Sequence, residues 1–453
     1  MIRYFLMLIV WMFAISIASA QDSQQQFHKV KKKETMYSIS RMYGVTVEEL
    51  VKANPEMAYP DYKLKKGSKI RIPLKRTGTE KAVQTTPPET DKKTSNVRTD
   101  VRNRAIRLGI MLPLHDRNGD GKRMVEYYRG VLMACDSLKK TGISVDVHAW
   151  NVPEDSNIEW VLAEKEAADC DIIIGPLYSA QVQALSDFVE KHNIMMVIPF
   201  SINSQAVFNN RHVFQVYQNP TEQNENTVRR FCDWFKDAHP VIVDCGDTTS
   251  TKGPFTSALR KSLEQRGVKY SITSLKSKDE TFQKAFAKNK QNVVVLNSGR
   301  SPELIATFGK LSSVVASNPE VKISMFGYTE WLMYLEYQLD NFYRYDVYVP
   351  SPFYTNSMST ATERFRQLYR NNFHQDMMQA LPRFALTGFD HAYFFLKGLH
   401  KYGAAFDGAA GRFGYPPIQT PLKFERAGDG GYLNRAYMFI HFKPEQKIDA
   451  LNY

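Results

Sequence analysis

Residues 116–121 read Asp-Arg-Asn-Gly-Asp-Gly. Side-chain oxygens at alternate positions followed by a glycine are how a calcium loop begins, because a hard cation collects roughly six to eight oxygens and the glycine lets the chain turn around it. Such a loop closes with a bidentate carboxylate at its twelfth position. Counted from Asp116 that position is Tyr127, and Glu126 falls one residue early. The stretch also follows an apolar run, where a calcium loop has its entering helix. It is read as an acidic strand-to-helix loop, with no metal ligated.

Other chemistry is sparse. There is no H-E-x-x-H, no G-x-S-x-G and no G-x-x-x-x-G-K-[ST]. His391 and His400 are nine apart, off any metal-ligand spacing, and read as packing or surface residues. The Gly-Asp-Gly-Gly at 428–431 is a turn, since no helix follows it to receive a phosphate. Cys135, Cys170, Cys232 and Cys245 contain no C-x-x-C pair, which argues against zinc. An oxidising compartment would permit disulfides, whereas their apolar flanks suit free thiols, and both states stay open. No catalytic constellation and no cofactor motif is found, so the expectation is a binding protein and not an enzyme.

The elements that must position any site divide the 453 residues into zones. Arg3, an apolar run from Tyr4 to Ile17 and Ala18-Ser19-Ala20 read as a cleaved secretory signal over 1–20. The run is too short for the roughly 20 residues of a membrane span, and no cysteine follows the cleavage site to carry a lipid. An exported, periplasmic and wall-associated protein without a transmembrane segment is expected. The formal charge is +12, of which roughly +9 falls between Gln21 and Ala105. That favours an anionic wall or membrane surface as partner; nucleic acid is not expected for an exported chain. Residues 74–104 are polar and rich in Pro, Thr and Lys, unable to bury enough surface to fold, and read as a flexible linker.

Residues 27–73 read as strand, helix, helix, strand. Met36, Ile39, Met42 and Tyr43 share one helix face, Gly44 ends that helix, Thr46 caps the next, and Pro73 stops the last strand. From 105 onward, apolar strands alternate with helices. The run 105–114 is nearly continuously apolar, as in a strand buried on both faces. Val125, Tyr128, Val131, Leu132, Cys135 and Leu138 then repeat at helical spacing. Helices are predicted over 157–168, 179–193, 221–236, 254–266, 279–289 and 301–316, interleaved with strands, and a late helix spans 385–403 before a hairpin turning at 428–431. Two βα series in succession predict two doubly wound parallel sheets with a cleft between them. Hinges are expected near 216–220, 326–329 and 350–355.

Two resemblances follow. The segments V-K-K-x-x-T-M-Y-S-I-S, Y-G-V-T-V-E-E-L-x-x-A-N-P and L-K-x-G-x-K-I-R-I-P make 27–73 resemble the βααβ LysM domain. That resemblance implies binding of N-acetylglucosamine-containing glycan, chiefly peptidoglycan, through Lys33, Glu34, Thr35 and Met36 in one loop and Asn54 and Pro55 in another. Lys33-Glu34 stands where that family usually has Gly-Asp. Over 105–453, R-L-G-I-M-L-P-L, Y-Y-R-G-V-L-M-A, D-I-I-I-G-P-L-Y-S, T-G-F-D-H-A-Y-F-F-L-K-G-L and F-E-R-A-G-D-G-G-Y-L-N-R resemble type I periplasmic binding proteins. This is the fold of branched-chain amino acid receptors and of receptor-like lipoproteins that activate peptidoglycan synthases.

The second resemblance implies a ligand cleft at the strand ends. Ser179, Ser201 and Ser204 match positions that hold an amino acid's carboxylate and amine, although Ser-Ile-Asn-Ser-Gln-Ala departs from the family's Ser/Thr-Ala-Thr pattern. Asp116 and Tyr178 join them from lobe 1; Asp247, with Thr248 beside it, Tyr328 and Glu330 join from lobe 2. Each serine is equally a simple helix cap. The partners implied are peptidoglycan, a small molecule in the cleft, and either an envelope synthase or a transporter.

Overall fold

The computed structural model describes residues 26–30, 39, 43, 47–58, 65–73, 101–201, 204–409 and 416–452. The expected signal segment and most of the expected linker lie outside them. The chain forms two compact units, Met1–Asn96 and Val97–Tyr453.

In the first unit, β1 (Gln26–Lys29) pairs antiparallel with β2 (Lys69–Ile72), with Gln26 opposite Ile72. The alternating burial of β2 turns Ile70 and Ile72 inward. They meet Val30, Ile39, Leu50 and Met57 in a small core, Leu50 coming from α1 (Val47–Ala53).

The second unit has two lobes, each with a seven-stranded sheet among the described residues. Lobe 1 takes β3 (Ile106–Leu112), α2 (Gly119–Lys139), β4 (Val145–Asn151), β5 (Ile172–Ile174), α3 (Val182–His192), β6 (Met195–Ile198) and β7 (Val213–Gln215). The chain then crosses into lobe 2. There it makes α4 (Pro220–Trp234), β8 (His239–Asp244), α5 (Gly253–Gln265), β9 (Ser271–Ser274), β10 (Gln291–Leu296), α6 (Ser301–Ser317), β11 (Lys322–Phe326), α7 (Leu335–Arg344) and β12 (Val347–Ser351). It returns for α8 (Thr360–Phe373), α9 (Phe384–Tyr402), β13 (Phe424–Arg426) and β14 (Tyr432–Asn434), which belong to lobe 1. A last crossing places β15 (Met438–Lys443) and β16 (Lys447–Asn452) in the lobe 2 sheet. Strand order is β13-β14-β7-β6-β5-β3-β4 in lobe 1 and β16-β15-β12-β11-β10-β8-β9 in lobe 2, with the central strands parallel. The central strands are mostly apolar because both faces are covered.

The main helix contact in lobe 1 is α2 against α9, and it depends on two glycines. A Cβ on Gly130 would stand 1.9 Å from the carbonyl oxygen of Ala385, and one on Gly388 would stand 2.0 Å from that of Tyr127. With no side chain at either place, the backbones can touch. Asp390, fully buried two residues after Gly388 on α9, accepts backbone N–H bonds from Ile418 (3.0 Å), Gln419 (2.8 Å) and Thr420 (2.7 Å) and so straps the 418–420 segment to the helix.

Three expectations need correction. Residues 326–329 lie inside lobe 2 after β11; the third crossing is the β14–β15 connection at 435–437. The helix expected over 279–289 is confined to Asp279–Gln283. Asn292 accepts from Ala287 N (2.8 Å) and donates to Ala287 O (2.8 Å), which holds the chain in a loop there. The helix expected over 157–168 is two single turns, Glu159–Leu162 and Lys165–Ala168. Glu164 between them is extended, its carboxylate accepting from Trp150 Nε1 at 2.9 Å.

Candidate functional site

In the first unit Asn54 is 2% exposed. Its amide donates to Leu50 O (2.7 Å) and Arg71 O (2.8 Å) and accepts from Arg71 N (2.7 Å). Every hydrogen-bonding position but one lone pair is spent joining the end of α1 to β2, so Asn54 shapes the loop from below instead of offering its side chain to a glycan. Pro55 beside it is exposed. Lys33, Glu34, Thr35 and Met36 lie outside the described residues.

In lobe 1 the expected residues gather at the C-terminal strand ends. Gly175, at φ 143 and packed on the carbonyl of Met111, turns the chain after β5. Tyr178 and Ser179 follow that turn. Ser179 Oγ bonds Ser201 Oγ at 2.6 Å, joining the loop after β5 to the loop after β6. Tyr178 OH donates to Asp120 Oδ2 at 3.4 Å, and its pKa is pushed up to about 12 by desolvation and by the nearby Asp120 and Glu154. Ser204 Oγ accepts from Ala206 N at 3.0 Å, which closes a local turn. In the acidic loop, Asn118 Oδ1 accepts from Gly121 N at 2.8 Å and caps α2, Asp120 pairs with Arg123 at 3.0 Å, and Asp116 is exposed. The D-x-N-x-D-G spacing thus starts a helix.

In lobe 2 Asp247 ties loops together. Its Oδ2 accepts from Ser298 Oγ (2.7 Å), and its Oδ1 accepts from Thr249 Oγ1 (2.7 Å) and N (3.0 Å). These bonds, Ser298 first, hold its pKa down to about 2. Tyr328 is buried; its hydroxyl donates to Leu296 O, and desolvation raises its pKa well above the phenol range. Lys252 Nζ stands 4.7 Å from the Tyr328 ring centroid and is ion-paired with Glu330.

Between the lobes is a cavity of about 750 Å³. Of the eight residues expected in the cleft, Tyr328 and Glu330 line it; Asp116, Tyr178, Ser179, Ser201, Ser204 and Asp247 do not. Its lobe 1 wall includes Phe200, Phe384, His391 and Thr420, and its lobe 2 wall includes Lys252, Phe255 and Met333. His391 is 1% exposed, its Nδ1 bonds Tyr127 OH at 2.9 Å, and desolvation pushes its pKa down to about 3. The sequence offered one signal for this wall: Phe384, Thr387 and His391 fall on one face of α9. The four cysteines are free thiols. No helix among the described residues is long and apolar enough to cross a membrane.

A two-lobed α/β fold crossed three times by the chain, with its cavity between the lobes, is the architecture of a periplasmic binding protein. Residues 162–413, more than half of the chain, match the family model for periplasmic binding protein, and the chain belongs to that family. Residues 28–73 match the LysM domain. Both are binding modules without a catalytic constellation. A branched-chain amino acid ABC transporter structure from Rhodospirillum rubrum superposes with a TM-score of 0.52 at 14% identity, over 77% of this chain and 100% of that one. Full-length LpoA from Haemophilus influenzae gives 0.49 at 12% identity over 78% and 60% of the two chains. An ABC transporter substrate-binding protein from Desulfitobacterium hafniense in complex with Leu gives 0.42 at 13% identity over 77% and 100%. At such identities the Rhodospirillum likeness is one of fold. No curated protein matches the chain.

Proposed function

We propose that this is a non-catalytic cell-envelope protein that holds peptidoglycan through its LysM domain and uses its two-lobed domain to recognise a ligand or an envelope partner in regulating cell-wall synthesis. The observation that carries the reading is the pairing, in one chain, of a LysM domain with a periplasmic binding protein fold. A transport receptor works by diffusing between solute and transporter, and attachment to the wall would slow it. A regulator of wall synthesis gains from being held where the substrate is. The basic excess around the LysM segment adds attraction to an anionic wall.

A second reading, a receptor delivering an amino acid or cell-wall fragment to an ABC transporter, is favoured by the inter-lobe cavity and by the Rhodospirillum likeness. Co-sedimentation with purified peptidoglycan tests the anchoring. Residues 21–453 are expected in the pellet and residues 105–453 in the supernatant; equal sedimentation of the two would remove the LysM from the explanation. A thermal-shift screen against free amino acids and muropeptides separates regulator from receptor, a rise of several degrees with one amino acid overturning the first reading.

A further inference from the structure

A second concavity lies at the end of the lobe 2 sheet away from the inter-lobe cavity. It is open, about 820 Å³ in volume, and forms where β10 and β11 begin, where α7 ends and where β15 turns into β16. Among its described lining residues Lys322, Arg344, Lys443 and Lys447 stand against Asp346 and Glu445, with His441 beside them.

The strand register brings the cations together. Lys443 and Lys447 are directly opposite each other in the antiparallel β15–β16 pair, and Lys322 stands beside Gln291 at the start of β11. Like charges opposed across a ladder are destabilising. Asp449 relieves one side of that pair by bonding Lys443, and Asp346 and Glu445 also act on Lys443. Among the described residues Lys322, Arg344 and Lys447 form no ion pair. Arg344 rests with its guanidinium carbon 5.4 Å from the Tyr345 ring centroid, its N–H donors unspent.

The floor between the cations is fixed. Asp346 accepts from Ser324 Oγ at 2.6 Å and pairs with His441 Nε2 at 2.6 Å. Gln291 Nε2 donates to Ser324 Oγ at 2.9 Å, and the His441 ring stacks on Tyr348 with centroids 3.9 Å apart. Asp346 is thus spent inside the protein, and the three unpaired cations have no carboxylate of their own.

We propose that this pocket binds an anion of the phosphate class. A carboxylate carries one negative charge and matches one of the three cations. A phosphate monoester carries about 1.5–2 charges on three acceptor oxygens, and a diphosphate more. Arg344 offers a planar fork to two such oxygens, and the lysines act as point charges. Two sources present the group, a soluble phosphate ester and the headgroup of an anionic lipid.

Calorimetric titration of the full-length protein with inorganic pyrophosphate tests the pocket, and flotation with phosphatidylglycerol vesicles tests the source. Because the segment before residue 105 is itself basic, the deciding comparison is between two double variants of equal charge. One is Lys322→Gln with Lys447→Gln. The other is Lys261→Gln with Lys269→Gln, exposed lysines of lobe 2 outside the pocket. Pyrophosphate affinity is expected to fall about tenfold in the first and less than about twofold in the second. Loss of vesicle flotation in the first alone would name the lipid headgroup as source, and unchanged flotation the soluble ester.

Equal losses of pyrophosphate affinity in both doubles, or no binding by the parent, would overturn the proposal. Acetate binding as tightly as pyrophosphate would overturn the phosphate class. Lys447→Gln removes a like charge opposite Lys443, so the ligand-free variant should melt no lower than the parent. A fall of several degrees would place Lys447 in the bonding of the fold and overturn its role in the pocket.

Discussion

Gly130 and Gly388 give opposite answers to two physical effects, which makes them a sharp test of the fold. Alanine is the better helix former by about 0.5–1 kcal/mol, so propensity alone predicts that Gly130→Ala in α2 and Gly388→Ala in α9 stabilise. The packing predicts the reverse. The new methyl carbons would stand 1.9 and 2.0 Å from backbone carbonyl oxygens, where ordinary contact begins near 3.4 Å. The helices would have to part by about 1.5 Å, because the obstacle is main chain and cannot rotate aside. Overpacking of a core costs about 1–3 kcal/mol, and a clash of backbone on backbone belongs at the upper end of that range. Each substitution is therefore expected to lower stability by about 3 kcal/mol. Since one opening relieves both clashes, the double variant should cost less than the sum by more than about 0.5 kcal/mol. Urea unfolding with hydrogen exchange on the α2 and α9 amides reads both effects. Two single variants within about 0.5 kcal/mol of the parent, or more stable than it, would show that the helices do not approach as described.

Two further predictions concern single side chains. Asn54→Ala removes two hydrogen bonds to Arg71 of β2 and one to Leu50 of α1 and should cost the LysM unit about 2 kcal/mol, seen as faster proteolysis within 26–73; unaltered cleavage would leave Asn54 free for a glycan. His391 has its pKa lowered by burial from 6.5 to about 3, so the unfolded chain binds the proton that the folded chain refuses. There is no penalty above pH 6.5, and stability falls as pH drops below it, by about 2 kcal/mol at pH 5. Urea midpoints at pH 7 and 5 should converge in His391→Gln relative to the parent, and an equal loss in both would place the pH dependence elsewhere.

The fold was legible where local pattern and tertiary setting agree. Strands such as Ile106–Leu112 and Gln291–Leu296 are buried on both faces and read as nearly continuous apolar runs, broken by Arg107 in the first and preceded by Gln291 and Asn292 in the second. The late helix was legible too, although the role of Gly388 was not, since a glycine's meaning lies in the backbone opposite it. Reading failed where a distant side chain decides local structure: Trp150 bonds Glu164 and divides one expected helix, and Asn292 clamps Ala287 and cuts another short. Thr360–Phe373 went unpredicted despite Ser359 accepting from Thr362 N at 3.1 Å, a usual start signal. The serines after β5 and β6 were correctly placed at strand ends, but their hydroxyls bond each other. The cavity wall was missed because Phe200, Lys252, His391 and Thr420 come from four separated segments and share no spacing.

The crossings limit what any occupant of the cavity can do. Val216 to Gln218 from the first, Pro352 and Phe353 from the second, and Tyr437 from the third all line it. The first and third are tied by Gln218 Nε2 donating to Ala436 O, and Tyr437 OH of the third donates to Thr227 Oγ1 of α4, which is itself committed to Gln223 O. Thr329 Oγ1 donates to Pro350 O at 3.0 Å and fixes the start of the second to lobe 2. A change of lobe angle must therefore alter the cavity wall, and filling the cavity must bias the angle. A ligand shifts that equilibrium only by its difference in affinity for the two arrangements. One that touched His391 and Thr420 alone would bind lobe 1 equally well open or closed and would signal nothing. The signal requires a ligand long enough to reach Lys252 and Glu330 as well, so what sets the response is the contact across the gap and not the strength of the contact within lobe 1.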